Sequence, residues 1–556
     1  MNTMTLFSQL LLFAAVLAKV SGFWWLLPEY KTVTTTSGKV RAMKFGSEDY
    51  YSFKGIPYAE PPVGNLRFRN PVPVQSWSGV RNAYSHGSSC PNELVLGING
   101  DEDCLFLNVY TPDVSGTLPV MIWIHGGSFV YGSGDTIDYG PKYLMEEGVI
   151  VVTINYRLGA LGFLNTGDKY AQGNYGLKDM TLAIKWVKDN IGAFGGDPQK
   201  ITLFGQSVGS AAVNLLLLSE MSKGLFQRAI MQSGTALTPF AFRENGVEKA
   251  EQLGHNLDLT FDSTQSLIDQ LRQLPYQAIL LASESVFGVD EPRMLRPFNF
   301  VPCVEPDDSL EERFLEDNPT NLLEATGNTK PILIGTTNSE ALYMIREDLL
   351  DFSVFDDYNN NPNYFVPSSF GLTEGSSDST DVINYIKSFY FNNQPLSYST
   401  REQYAQFHTD AQYIFPTERV LKHFQFSNEP IYRYEFTFSG KFNHIKNFLF
   451  LSSYDGACHS DDLYYLFDTI IPYWPWPSSE VEEARTVRDR VVRLWTNFAK
   501  YGNPTPNTDN LVNQNWPPFD QTTRTYLEIG KELTVKNEPN RLEELHNFQL
   551  LFALVF

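Results

Sequence analysis

Apolar runs and helical patterns alternate along the first half of the chain. Continuous apolar runs at residues 120–124, 148–154 and 201–204 predict buried strands, and the spacing of apolar residues over 176–194 predicts a helix. Further strands are predicted at residues 229–231 and 331–334. Strands that are apolar on both faces and separated by helices are typical of a mostly parallel sheet covered by helices on both faces. We therefore predict an α/β fold.

The polar stretch at residues 356–380 departs from this alternation. It contains three consecutive asparagines and several serines. We interpret it as an irregular excursion rather than as a linker between domains. Since no internal repeat is visible either, we expect residues 23–556 to form a single domain.

The N-terminus carries a short apolar segment. Residues 6–17 are dominated by Leu, Phe, Ala and Val, and the small residues Ser21 and Gly22 follow. This pattern predicts a signal peptide over residues 1–22 and a secreted, extracellular protein. No Lys or Arg precedes the run, so an uncleaved membrane anchor is the alternative, but the run is shorter than the about 20 residues of a spanning helix. No other stretch is long and apolar enough for stable membrane insertion.

The charge excludes one class of partner. The 556 residues include 64 acidic and 42 basic side chains, which gives a net charge of −22. Such a surface repels phosphate backbones, so we expect no nucleic-acid partner. The 40 Phe, 29 Tyr and 9 Trp are enough for a large core and an apolar pocket.

A nucleophile motif gives the strongest functional signal. Gly205-Gln206-Ser207-Val208-Gly209 follows the predicted strand 201–204 and precedes a helical run at 211–218. This strand–turn–helix context is typical of a Gly-X-Ser-X-Gly turn that exposes its serine, because the two glycines relieve clashes in the tight turn. We predict that Ser207 is a catalytic nucleophile.

A second glycine motif follows the predicted strand 120–124. In His125-Gly126-Gly127, the glycines leave backbone N–H groups free to approach an oxyanion. We predict an oxyanion hole formed by Gly126, Gly127 and the N–H of Val208, and a structural role for His125. A simple Gly-Gly turn would be the interpretation without the serine motif.

A base and an acid complete the predicted site. If the chain order is nucleophile, acid, histidine, the base lies after Ser207. Of the eight histidines, His459 combines a small-residue lead-in with an acidic pair and a predicted apolar helix at 461–467. Glu340 follows the predicted strand 331–334 and is one of several acidic candidates for orienting the histidine. His408, His423 and His444 are interpreted as surface or packed residues.

The four cysteines fit a secretory route. Cys90 and Cys104 are close in sequence and would meet an oxidising compartment, so we expect them to pair. A bond between Cys303 and Cys458 stays open, although a buried free thiol beside His459 is the simpler interpretation. No spacing suggests a zinc site, and we expect no metal and no cofactor.

Several longer motifs are similar to those of the type-B carboxylesterase family, which includes the cholinesterases. These motifs are spread over nearly the whole mature chain: residues 53–59, 61–64, 102–110, 174–179 and 194–198. The resemblance implies the α/β-hydrolase fold, a catalytic triad of Ser207, Glu340 and His459, and a disulfide between Cys90 and Cys104.

Some positions depart from the family pattern. Val208 replaces the usual alanine after the nucleophile, and Phe240 stands where the acyl pocket often has a tryptophan. We predict that Phe240 lines the substrate pocket. The loop between Cys90 and Cys104 is short and lacks tryptophan, which argues against a choline ester substrate. Gln206 and the motif at 459–462 resemble insect juvenile hormone esterases.

These features predict a hydrolase for small apolar carboxylic esters that works through an acyl-enzyme. The overall resemblance is to secreted insect carboxylesterases, whose substrates would include acetate odorants, dietary esters or juvenile hormone. The alternatives are a non-catalytic adhesion or binding protein of the same fold and a lipase. The sequence does not indicate the oligomeric state.

Overall fold

The computed structural model describes residues 28–538 apart from 45–47, 95–96, 244–245, 285, 287–298, 367–371, 425–427 and 470–477. The predicted signal peptide at 1–22 lies outside the described residues. Within the described part of the chain, no helix is both long enough and apolar enough to cross a bilayer.

The strands of the described residues are short, and most are buried. In chain order they are β1 (Glu29–Thr34), β2 (Lys39–Lys44), β3 (Tyr51–Pro57), β4 (Val80–Asn82), β5 (Asn92–Leu94), β6 (Gly97–Asn99), β7 (Phe106–Thr111), β8 (Leu118–Ile124), β9 (Ile150–Ile154), β10 (Gly196–Gln206), β11 (Arg228–Gln232), β12 (Ile332–Thr337), β13 (Ile431–Phe436), β14 (Thr525–Ile529) and β15 (Leu533–Asn537).

Thirteen of these strands form one large mixed sheet. Their order is β1-β2-β3-β7-β9-β8-β10-β11-β12-β13-β14-β15, with β4 beside β2. The run from β9 to β14 is parallel. The strands at both ends of this order pair antiparallel, whereas the short β4 pairs parallel with β2. The mostly parallel sheet predicted from the sequence is confirmed, and its antiparallel ends are an addition to that prediction.

Helices connect the parallel strands and extend the fold beyond them. In chain order they are α1 (Lys142–Glu146), α2 (Gly159–Phe163), α3 (Tyr175–Asn190), α4 (Val208–Leu218), α5 (Val247–Asn256), α6 (Thr264–Gln273), α7 (Tyr276–Glu284), α8 (Pro319–Thr326), α9 (Arg346–Leu350), α10 (Ser353–Asn360), α11 (Ser377–Phe391), α12 (Arg401–Thr409), α13 (Phe415–His423), α14 (His444–Phe448) and α15 (Ser478–Tyr501).

The central strand β8 shows why the sheet is covered on both faces. Val120 and Ile122 belong to one apolar cluster, whereas Met121 and Trp123 belong to another. Because successive side chains of a strand point to opposite faces, the two clusters lie on opposite sides of the sheet. The continuous apolar runs of the sequence thus reflect burial on both faces.

Two sequence predictions about local structure are wrong. The stretch 356–380 is not irregular throughout, because it includes parts of α10 and α11 and a 3₁₀ helix at Pro362–Phe365. In α10 the apolar residues Val354, Phe355 and Tyr358 are buried, while polar residues cover the outer face. The apolar helix predicted at 461–467 is instead a short 3₁₀ helix at Asp461–Tyr465.

Candidate active site

Ser207 lies at the turn between β10 and α4. Its φ of 60° and ψ of −129° form a conformation that residues other than glycine rarely adopt and that is concentrated at functional sites. A Cβ on Gly205 would lie 2.6 Å from the carbonyl group of Gly209, and a Cβ on Gly209 would collide with the carbonyl oxygen of Ile124. The glycines therefore allow the strand and the helix to pass closely beneath a half-buried serine.

The loop after β8 packs against this turn. A Cβ on Gly126 would lie 3.2 Å from the Cβ of Ser207, and Gly127 has a φ of +102° with its Cβ position blocked by the carbonyl oxygen of Tyr131. Within the described residues, the backbone N–H groups of Gly126, Gly127 and Val208 donate no hydrogen bond. Gly126 and Val208 thus flank Ser207 with available donors, and Gly127 follows on the same loop.

Glu340 and His459 form a direct pair. Glu340 begins a 3₁₀ helix just after β12, and His459 lies in the loop before the Asp461–Tyr465 turn. The Nδ1 of His459 lies 2.6 Å from Oε2 of Glu340, whose other carboxylate oxygen accepts a 2.7 Å hydrogen bond from the backbone N–H of Thr337. The carboxylate is fully buried, so both its orientation and that of the imidazole are fixed.

Two other histidines are packed in the interior. Burial lowers the pKa of His125 to about 4, and its ring stacks on Tyr156 with centroids 4.3 Å apart. Burial lowers the pKa of His408 to about 3, and its ring lies against Tyr404 and Phe407. Both rings are therefore neutral packing elements at ordinary pH.

The structure adds a neighbour that the sequence analysis did not identify. The side-chain amide nitrogen of Gln206 lies 3.0 Å from Nε2 of His459 and 3.5 Å from its Nδ1. Within the described residues, the Ser207 hydroxyl makes no hydrogen bond of its own. The sequence signal for this contact is that Gln206 directly precedes Ser207 in the motif.

Aromatic rings surround the imidazole. The ring of Tyr413 is centred 5.0 Å from that of His459, and the ring of Tyr343 is centred 5.9 Å away. Tyr413 belongs to a π-helical turn, Asp410–Ile414, of a kind that is common at functional sites. Phe240 is buried, and its ring is centred 5.5 Å from that of Tyr413. The ring of Tyr413 is therefore a neighbour of both His459 and Phe240.

Two buried carboxyl groups support the histidine loop. Asp461 accepts hydrogen bonds from the backbone N–H of Cys458 at 2.8 Å and from the side-chain amide of Asn443 at 3.0 Å. Asp462 accepts a 2.8 Å hydrogen bond from the side chain of Gln232. Burial raises the pKa of Asp461 to about 7 and that of Asp462 to about 6.

The cysteines divide as the residue spacing suggested. Cys90 and Cys104 form a disulfide with Cα atoms 4.8 Å apart, which confirms that prediction. Cys303 and Cys458 are both buried free thiols, which settles the alternative left open by the sequence. Burial raises the pKa of both thiols, so neither is a reactive thiolate at neutral pH.

Comparison of the chain with known proteins shows its family. A sequence profile described as "Carboxylesterase family" matches residues 29–546. The chain belongs to the carboxylesterase family. Esterase FE4 of Myzus persicae is 36% identical over 511 residues, which cover 88% of this chain and 86% of that protein. Juvenile hormone esterase of Tribolium castaneum is 32% identical over 495 residues, 84% of this chain and 82% of that enzyme.

A solved carboxylesterase structure has the same architecture. The crystal structure of juvenile hormone esterase from Manduca sexta, with OTFP covalently attached, superposes with a TM-score of 0.81. The two chains are 28% identical, and the match covers 94% of this chain and all of that one. The predicted α/β-hydrolase fold is confirmed, and the protein is a carboxylic ester hydrolase.

Proposed function

We propose that this chain is a secreted serine carboxylesterase with Ser207 as nucleophile, His459 as general base and Glu340 as the acid that orients the base. The observation that carries the proposal is the 2.6 Å contact between the buried Glu340 carboxylate and Nδ1 of His459. This hydrogen bond holds a proton on Nδ1 and leaves the lone pair of Nε2 available to take a proton.

The chemistry follows in two halves. His459 removes the Ser207 proton as the serine oxygen attacks the ester carbonyl carbon, and the C=O electron pair moves onto the carbonyl oxygen. The N–H groups of Gly126, Gly127 and Val208 stabilise that oxyanion. The imidazolium then gives its proton to the leaving alcohol, which produces an acyl-serine. Water repeats the sequence on the acyl-enzyme and releases the carboxylic acid.

The surroundings of the base support small apolar esters as the substrate class. Tyr343 and Tyr413 lie beside the imidazole ring, and we propose that Phe240 limits the acyl side of the pocket behind Tyr413. Two similar proteins are named as juvenile hormone esterases, and another is named as a bile salt-activated lipase. We propose acetate odorants, dietary esters or juvenile hormone as the substrates, and the alternative is lipase activity on long-chain esters.

Replacement of the nucleophile tests the central assignment. Ser207→Ala should abolish ester turnover and leave the melting temperature within about 1 °C of the wild type, because it removes one hydroxyl from a half-buried side chain. Wild-type enzyme should release a burst of alcohol from a chromogenic acetate ester, equal to the enzyme concentration. Ser266→Ala makes the same change at a half-buried serine of α6, which contributes no residue to the proposed site, so this control should retain turnover. Residual turnover in Ser207→Ala would contradict the proposal.

A second pair of variants tests the base and the competing functions. His459→Ala should lose activity at every pH, whereas His444→Ala should retain it; the reverse result would mean that the base is misassigned. A panel of acetate, juvenile hormone and long-chain esters separates the substrate classes. Wild-type protein that hydrolyses none of them would favour the non-catalytic adhesion or binding function.

Secretion is a separate part of the proposal. It is supported by the apolar run and small residues of segment 1–22. The full chain expressed in cultured insect cells should appear in the medium with an N-terminus at residue 23. Retention in the membrane fraction with an intact N-terminus would instead support the uncleaved anchor.

A further inference from the structure

Gln206 has an unusual position beside the proposed base. Its side chain is 3% exposed and extends from the residue directly before Ser207 to the ring of His459. The amide nitrogen lies 3.0 Å from Nε2 and 3.5 Å from Nδ1. The lone pair of Nε2 points out of the ring and away from Nδ1. A donor on the axis of that lone pair would therefore lie much farther from Nδ1 than the observed 3.5 Å. The amide therefore contacts the imidazole from the side and leaves that lone pair accessible.

The other neighbours of the ring make this contact informative. Glu340 accepts from Nδ1 of His459, and the titratable groups near this pair in the described part of the chain include Asp462, Cys458, Tyr343, Tyr413 and Tyr434. Gln206 does not titrate, and its side-chain amide carries both donors and an acceptor beside the ring. An amide N–H against the ring favours neutral imidazole, and rotation of the amide would present its oxygen to an imidazolium.

We propose that Gln206 is a positioning residue for His459. This inference rests on the proposed function. The amide holds the imidazole so that Nδ1 stays on Glu340 and Nε2 stays open to Ser207, and its neutrality adds no preference for the imidazolium. A carboxylate at the same position would be buried and close to the ring. It would therefore stabilise the imidazolium, raise the pKa of the base and keep it protonated at higher pH.

Two variants of nearly equal shape separate charge from packing. Gln206→Glu keeps the size of the side chain and adds a negative charge, whereas Gln206→Met keeps the size and removes the polar contact. In Gln206→Glu, the acidic limb of the pH profile of kcat/KM for a chromogenic acetate ester should move upward by about one pH unit or more. In Gln206→Met, kcat should fall about 2- to 12-fold, the effect of one lost hydrogen bond, with little change in KM.

The outcomes distinguish this inference from the proposed function. An upward shift in Gln206→Glu together with a kcat loss in Gln206→Met supports the positioning role. The positioning role would be overturned if the acidic limb of Gln206→Glu stayed within about 0.2 pH unit of the wild type, which is about the error of such profiles. This holds even if both variants were slower. Melting temperatures show whether both variants fold, and if Gln206→Met does not, the Gln206→Glu profile alone decides. If wild-type enzyme hydrolyses no ester, or if Ser207→Ala retains turnover, the proposed function itself has failed.

Discussion

The buried carboxyl of Asp462 should lower the free energy of unfolding as pH rises, whereas a salt-bridged acid raises it. Burial raises its pKa from 3.8 to about 6. A carboxyl whose pKa is higher in the folded state binds more protons there than in the unfolded chain. Its contribution to stability therefore decreases as pH rises from about 4 to 6, and the full cost is present above that range.

The magnitude follows from the shift. About two pKa units at about 1.4 kcal/mol each give a cost of about 3 kcal/mol at pH 8, and about half of that cost remains at pH 5. In Asp462→Asn the amide oxygen can still accept from Gln232. The amide nitrogen replaces Oδ1, which has no hydrogen-bond partner within the described residues. The variant should therefore lose the pH-dependent cost.

Calorimetry at two pH values measures this effect. An unfolding entropy of about 2 cal/mol/K per residue makes 1 kcal/mol worth about 1 °C for a chain of this size. The melting temperature of Asp462→Asn relative to wild type should be higher at pH 8 than at pH 5 by about 1 to 2 °C. Any pH-independent cost of the substitution cancels in this difference.

A matched control and a clear contrary result complete the experiment. Asp381→Asn makes the same chemical change at an exposed position of α11, so its effect should be equal at both pH values. Asp462 does not carry this pH-dependent cost if its variant behaves like the control, or if the relative melting temperature is higher at pH 5 than at pH 8.

Three further predictions concern the pocket, the acid and the disulfide. Phe240→Leu should improve turnover of branched and bulky acyl groups relative to acetate by about 10- to 200-fold; a lowered melting temperature with an unchanged acyl profile would mean that Phe240 is only a core residue. Glu340→Gln should lower kcat by about 10⁴-fold without unfolding the protein, because the amide favours the wrong tautomer of His459; steady-state kinetics with intact melting checks this. Replacing Cys90 and Cys104 by serine removes a disulfide that spans 14 residues and should lower the free energy of unfolding by about 3 kcal/mol. The expected result is a lower melting temperature with retained turnover.

The central sheet could be predicted because its strands are buried on both faces. The runs at 120–124, 201–204 and 331–334 contain little but apolar residues, and all three fall within or overlap strands of the sheet. The antiparallel strands at the ends of the sheet gave a weaker signal. β1, for example, reads Glu-Tyr-Lys-Thr-Val-Thr and is mostly exposed, so polar residues interrupt its pattern.

The candidate site was predictable where backbone geometry restricts residue choice. Gly205 and Gly209 are required by close backbone approach, and that requirement is visible in the sequence. Side-chain contacts between distant segments leave no such trace. The contacts of Gln206, Tyr343 and Tyr413 with His459 depend on how separate loops meet above the sheet, and an amide or a phenol at those positions has no distinctive local pattern.

The spacing of the site along the chain has a consequence for biosynthesis. Glu340 and His459 are 119 residues apart, and Gln206 and His459 are 253 residues apart. A nascent chain that has already formed the turn at Ser207 still lacks His459, its proposed base, and contacts of such long range form late and slowly. Ester hydrolysis would thus begin only when the C-terminal segments have docked. Esterase activity in a cell extract would accordingly report the fraction of molecules that has finished folding.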